Sequence, residues 1–230
     1  MITPHIVQRV LKVSGNPGRG FGTAFTIDIG EKQYVVSAKH IFVEENGLYV
    51  ARINPNTNEE IWMTPDHEQP LYTGDTNIDV IVFPLNQPIT PSHKLPVTTE
   101  HGLGHDVYFL GFPFGWKTSG GNVSEINNGF PFPFVKKGII SGFRSRGSSL
   151  PMGIYIDAHN NEGFSGGPVI FPDKDKNMQV VGIISGYLPE LVNVSGPMAS
   201  GGEWSVNSGI AHASPVSFAL GLIQKYERLK

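Results

Sequence analysis

Gly163-Phe164-Ser165-Gly166-Gly167-Pro168-Val169 is the stretch on which the reading of this chain turns. It sets a serine hydroxyl among glycines and follows it at once with proline and apolar residues. A serine is a weak nucleophile until a base and an anion-stabilising pocket surround it. Glycines let backbone amides turn inward and let a substrate carbonyl come close. The stretch therefore asks whether the rest of the chain supplies a base and an acid to orient it.

The surroundings read as an all-β protein. Short runs rich in Val, Ile, Phe and Tyr recur between turn residues at Ile6–Val13, Gly22–Ile29, Tyr34–Ser37, Leu48–Ile53, Val80–Leu85, Asp106–Leu110, Gly138–Phe143, Ile154–Ile156, Pro168–Phe171 and Val180–Ser185. Such spacing is the pattern of a sandwich or barrel. Gly 28 and Pro 18 in 230 residues argue for many turns rather than long helices. One helix is expected at the end, with Ser214 as cap, Pro215 at its first position, and Val216, Leu220, Ile223 and Leu229 on one face. The segment 84–99 carries four prolines and reads as a connector. It divides one unit, 1–230, into a first half (1–83), a second half (100–213) and the helix (214–230). Two further irregular stretches, Phe112–Phe134 and Pro189–Ser208, read as loops, the latter a candidate flap.

Composition excludes several classes. A net charge of -3 shows no bias toward nucleic acid. Lys136-Lys137 and Arg144-Ser145-Arg146 read as solvated loop charge. There are no cysteines, hence no disulfide, zinc-thiolate site or cysteine nucleophile. No apolar run reaches the roughly 18 residues of a membrane span. Met1–His5 lacks the basic head and apolar core of a signal peptide. The lack of a signal peptide and of cysteine favours a cytoplasmic location, with a secreted mature form left open. His101 and His105 have metal-pair spacing, but Gly102 and Gly104 beside them favour a plain turn. Neither a metal nor a cofactor is expected.

A base and an acid are available upstream. His40 follows Tyr34-Val35-Val36-Ser37-Ala38, a strand ending in small residues, which places its ring at a strand end or on a short helical turn. Asp79 opens the run Val80-Ile81-Val82-Phe83, and a carboxylate at the head of a buried strand needs partners. Asp66, Asp75 and Asp106 are rivals in polar turns or at another strand.

Ser37-Ala38-Lys39-His40, Asn77-Ile78-Asp79-Val80-Ile81 and Gly163–Pro168 together resemble the histidine, aspartate and serine motifs of chymotrypsin-fold (trypsin-like) serine proteases, in that family's order. Gly22-Thr23-Ala24-Phe25 resembles the strand before the histidine. The run from Gly104 to Gly115, with Lys137-Gly138-Ile139-Ile140-Ser141, is similar to the second barrel of the bacterial HtrA/Deg branch, here without a following peptide-binding domain. The resemblance implies two packed antiparallel six-stranded β-barrels with a cleft between them, and a polypeptide substrate. It implies Ser165 as nucleophile, His40 as base, Asp79 as the residue orienting it, and the amides of Gly163 and Ser165 as the oxyanion site. By position it implies His159 at the base of the specificity pocket, with Gly186, Tyr187, Gly209, Ile210 and Ala211 along its walls, and Ser185 on the strand that pairs with substrate backbone. Tyr187 would then favour small or medium apolar side chains. It says nothing of the oligomeric state.

Two other readings compete. Gly163-x-Ser165-x-Gly167 also fits the nucleophile elbow of α/β-hydrolase esterases, which needs a helix after the serine and the order Ser, Asp, His. Here Pro168 and β-branched residues follow, and His212 is the only histidine downstream. A protease fold serving as a silent binding scaffold is the second; the presence of all three side chains weighs against it. Phe164 stands where digestive relatives have an aspartate that pairs with a newly cut N-terminus. Ile6-Val7 lacks the two glycines that follow that terminus, so activation by cleavage is not expected. Lys39 stands where the animal enzymes have a second alanine, and Glu162 replaces a proline common in the HtrA branch, putting a carboxylate beside the oxyanion site.

Overall fold

The computed structural model describes residues 2–42, 47–93, 95–118, 127–145, 152–196 and 199–230, with side chains described outside 193–203. Seven strands form the first unit: β1 (Val10–Ser14), β2 (Gly22–Ile29), β3 (Lys32–Ser37), β4 (Tyr49–Ile53), β5 (Glu60–Met63), β6 (Leu71–Tyr72) and β7 (Ile81–Pro84). They run in the order β5-β4-β1-β2-β3-β7-β6. Six more form the second: β8 (Asp106–Gly111), β9 (Phe134–Arg144), β10 (Gly153–Asp157), β11 (Pro168–Pro172), β12 (Met178–Gly196) and β13 (Ala199–Pro215). These close into a barrel in the order β10-β13-β12-β11-β8-β9. A single turn of helix, α1 (Pro4–Val7), precedes them, and α2 (Ser217–Arg228) follows. The fold is all-β and consistent with a chymotrypsin-like double barrel, although the first unit carries seven strands, not six. The short β5 and β6 sit in polar sequence near prolines, where period-two alternation is too brief to read.

Both faces of the first unit's central strands are buried. Leu11, Val13, Ala24, Val35, Ile81 and Phe83 point into one cluster, which Phe130 joins from the segment before β9. Their neighbours Val10, Phe25, Tyr34, Val36, Val80 and Val82 point into another. The second cluster also takes Leu110, Ile170, Val180 and Ile183 from the second barrel and Val216, Ala219 and Ile223 from the chain end. Strands buried on both sides read as continuous apolar runs, as these do. A third cluster fills the second barrel and includes Phe109, Phe164, Val169 and Ala211.

Four expectations are corrected. The first strand begins at Val10, because Pro4 starts a helical turn whose Ile6 and Val7 are buried as part of α1. The stretch Pro189–Ser208 is not a loop: β12 and β13 pair along it from Pro189↔Asn207 to Gly196↔Ala199. Glycines and serines near its tip mask the alternating apolar residues. Ser214 and Pro215 do not open the helix. They end β13 opposite Ile183 and Gly182, Ser214 Oγ lies 3.0 Å from Ser185 Oγ, and Val216 is the N-cap. Leu229 lies past the helix and is exposed, whereas Ile223 is buried. Residues 119–126 of the second irregular stretch, and Arg146, fall outside the described residues.

The connector is pinned rather than slack. Gln33 accepts the amides of Ile89 and Thr90, Arg9 donates to the His93 carbonyl, and Val97 bridges Val180. The foot of α2 is tied to the first unit by Glu68, which accepts from Lys230, Lys32 and Tyr226. Those bonds hold its carboxyl at about 2, against an ordinary 4.5. A carboxylate shifted down on folding stabilises the protein above its unfolded pKa and loses that contribution as pH falls through the folded value. Glu68→Gln should therefore shrink the fall in thermal midpoint between about pH 6 and about pH 3, by about 2 °C or less for a group that solvent still reaches and screens. An unchanged fall in the variant would dissociate Glu68 from acid sensitivity.

Candidate active site

His40 lies on a 3₁₀ turn, Lys39–Ile41, directly after β3. Asp79 lies two residues before β7, which pairs with β3, so the ladder sets their separation. Asp79 grips the histidine twice: Oδ1 accepts the His40 amide at 2.9 Å, and Oδ2 lies 2.7 Å from Nδ1. A carboxylate can only accept, so Nδ1 carries the proton and Nε2 is left as the acceptor. Burial opposes the Asp79 charge, but the His40 bonds and the His40 and Lys39 charges outweigh it, and its pKa is lowered.

Ser165 reaches the same place from the second barrel, on the loop between β10 and β11. His40, Ile41, Glu162, Gly163 and Ser165 line one cleft of about 530 Å³, with Phe21 and Asn16 across it. Among the described residues Ser165 Oγ has no hydrogen-bond partner; it shares with His40 the lining of this cleft.

The loop carrying Ser165 is fixed by its carbonyls. Glu162 O accepts from Phe114 N at 2.8 Å, and Gly163 O from Thr23 Oγ1 at 2.6 Å. Phe164 O accepts from Gly167 N, and Ser165 O from Thr23 N, both at 2.8 Å. With all four carbonyls engaged, the amides of Gly163 and Ser165 meet no protein acceptor among the described residues. At two positions here a left-handed backbone and a close approach together require glycine. Gly163 has φ +95 and a Cβ would stand 2.1 Å from Phe112 O; Gly166 has φ +83 and a Cβ would stand 2.0 Å from Thr23 O. Phe164 is wholly buried in the barrel core, edge-on to Phe109. Glu162 is exposed, so its carboxylate stays hydrated.

The match that decides the family covers residues 22–183, which fit the model described as trypsin-like peptidase domain. The chain belongs to the trypsin-like peptidase family. Solved structures share the fold at low identity. The Rv3671c protease of M. tuberculosis, in an inactive form, is 20% identical with a TM-score of 0.57, over 96% of this chain and 89% of that one. The serine endoprotease from Yersinia pestis is 20% identical with a TM-score of 0.59, over 97% and 64%. The HtrA-type protease AlgW with tripeptide is 21% identical with a TM-score of 0.58, over 96% and 60%. The chain thus spans under two thirds of the last two. A search of curated proteins finds no match. As a trypsin-like peptidase, the protein is a serine-type endopeptidase, a hydrolase, and its family implies polypeptide substrates. No described helix is long and apolar enough to cross a membrane.

Apart from His159, the remaining expected site residues lie on β12 and β13 of the second barrel. Gly186 pairs with His212 and Tyr187 with Ala211 across β12 and β13, Tyr187 being 43% exposed. Ile210 and Ala211 also pair with Asp157 and Ile156 of β10, and Gly209 O accepts from Ala158 N at 2.9 Å. Ser185 holds Ser214, as described above. His159 is exposed. The buried position is the next one: Asn160 is 2% exposed, its Nδ2 donates to Gly186 O at 2.8 Å, and its Oδ1 finds no described partner. Asn160, Thr23 and Lys136 were missed as site residues by sequence reasoning. Thr23 lay within a quoted motif but carried no role. Lys136 read as solvated charge; it is instead half-buried on β9, whereas Lys137 is exposed and paired with Asp106. For His101 and His105 the turn is real: Gly102 N donates to His105 Nδ1 at 3.2 Å.

Proposed function

We propose that the protein cleaves peptide bonds through Ser165, His40 and Asp79, by way of an acyl-enzyme. Ser165 Oγ attacks the substrate carbonyl carbon as its proton passes to His40 Nε2. The oxyanion accepts from the amides of Gly163 and Ser165; losing one such donor typically costs about 10²–10³ in rate. The C–N bond then breaks, with His40 returning the proton to the leaving amine. Water, activated by the same imidazole, hydrolyses the ester. Asp79 keeps Nδ1 protonated and stabilises the imidazolium without itself taking a proton. The observation that carries this reading is the double grip of Asp79 on His40, at the mouth of the cleft that Ser165 lines. Labelling with a fluorophosphonate probe tests it: Ser165 should be the modified residue, and an unlabelled intact protein would point to a silent scaffold.

The substrate side chain next to the scissile bond would enter between the 159–162 segment and β12. Asn160 spans that gap to Gly186, which makes the pocket shallow, and Tyr187 stands at its rim. Small residues such as Gly, Ala and Ser are the expected preference. One methylene too many in a pocket is worth about 10–200-fold. Asn160→Ala should open the floor and shift a peptide-library profile toward larger apolar residues by about that factor. A strict Arg or Lys preference in the intact protein would overturn the assignment.

A further inference from the structure

Lys136 is an unusual lysine. Its Nζ donates to the His159 carbonyl at 2.6 Å and to Asn161 Oδ1, and it lies 5.2 Å over the ring of Phe164. No carboxylate pairs with it among the described residues. A half-buried ammonium normally carries a paired charge or is costly, and desolvation here lowers its pKa. Carbonyl dipoles and a ring face are what hold it. All three contacts fall within the seven residues ending at Ser165, and β9, from which the lysine projects, belongs to the closed barrel wall.

We propose that Lys136 is a positioning residue for the oxyanion site: its ammonium anchors the segment His159–Phe164 so that the Gly163 amide faces the cleft. The proposal rests on the serine-peptidase reading above. The Glu162–Gly163 peptide is free of regular structure and must be held from both ends. Phe114, in the left-handed region at φ 52, donates its amide to the carbonyl of this peptide, Glu162 O, and on the Gly163 side Thr23 Oγ1 donates to Gly163 O. On the other side the two bonds from Lys136 to His159 O and Asn161 Oδ1 act beside those that tie Asn160 to Gly186 and Asn207. Phe164 has no charge to offer, so it contributes a buried anchor and an aromatic face in place of an ion pair. The ammonium belongs to the chain interior, so this brace is present without any cut in the backbone.

The test compares full-length protein with Lys136→Met and Lys136→Arg. The readouts are kcat and KM for p-nitrophenyl acetate, the second-order rate of fluorophosphonate labelling at Ser165, and the thermal midpoint. Lys136→Met should lower kcat and the labelling rate together by about 10–100-fold, with KM within about twofold, because the interaction serves the transition state. Lys136→Arg should restore most of both. A merely structural lysine would lower the thermal midpoint without this split. Should Lys136→Met fail to fold, Asn161→Ala removes one acceptor alone and should still cut kcat severalfold. Unchanged kcat in the folded variants, with an active parent, overturns this proposal alone. A parent with neither turnover nor labelling overturns the peptidase reading and this proposal with it.

Discussion

Ser165→Ala is expected to abolish peptide hydrolysis and fluorophosphonate labelling while leaving the fold intact. Removing the nucleophile of such a catalytic set costs roughly 10⁶ in kcat, and what remains comes from the oxyanion donors and binding. The fold should survive because Ser165 contributes backbone rather than side chain to the structure: its carbonyl binds Thr23 N, and its hydroxyl binds no described residue. Casein digestion, labelling and circular dichroism on parent and variant check the three parts. Activity persisting in the variant would move the nucleophile elsewhere, and the reading of the cleft would fail with it.

The second large effect belongs to Asp79. Asp79→Asn keeps the size of the side chain but offers an amide where the two acceptor oxygens stood. Whichever way the amide turns, it cannot accept from both the His40 amide and Nδ1 through ionised oxygens, and it favours the tautomer with Nε2 protonated. That imidazole cannot take the Ser165 proton. A loss of about 10⁴ in kcat near neutral pH is expected, with KM little changed, measured on the same ester and peptide substrates. Stability carries a second signature. The Asp79 pKa lies below its ordinary 3.8 on folding, so the carboxylate stabilises the fold above that value and the contribution fades as pH falls through the lower, folded one. The asparagine variant should lack that part of the acid dependence. A variant with full activity would reduce Asp79 to a turn residue.

Much of the architecture was legible because the central strands are buried on both faces and so write themselves as unbroken apolar runs. The order of His40, Asp79 and Ser165 with their flanks was enough to suggest the family, since His40 follows a strand and Asp79 and Ser165 each precede one. The long hairpin of β12 and β13 was not legible: of its described side chains beyond the barrel, Leu191, Trp204 and Val206 are exposed, so no buried face marks the pattern, and its glycines and serines look like loop. The helix start was misplaced because Ser214-Pro215 is a good cap sequence, yet its register with Ile183 and Gly182 wins. Asn160 and Lys136 could not have been found by local pattern. Their roles come from contacts made across the barrel, with Gly186 in one case and with His159 and Asn161 in the other.

The apolar cluster shared by both units and α2 has a consequence for how the molecule comes apart. Neither half can expose its partner's surface without opening the cluster that also seats the helix, and Thr23 leaves the Ser165 loop in the same motion. Loss of the cleft and loss of the fold are therefore one event. A backbone cut in the pinned connector would by itself release nothing, since the halves would stay joined by the packing that made them a single body.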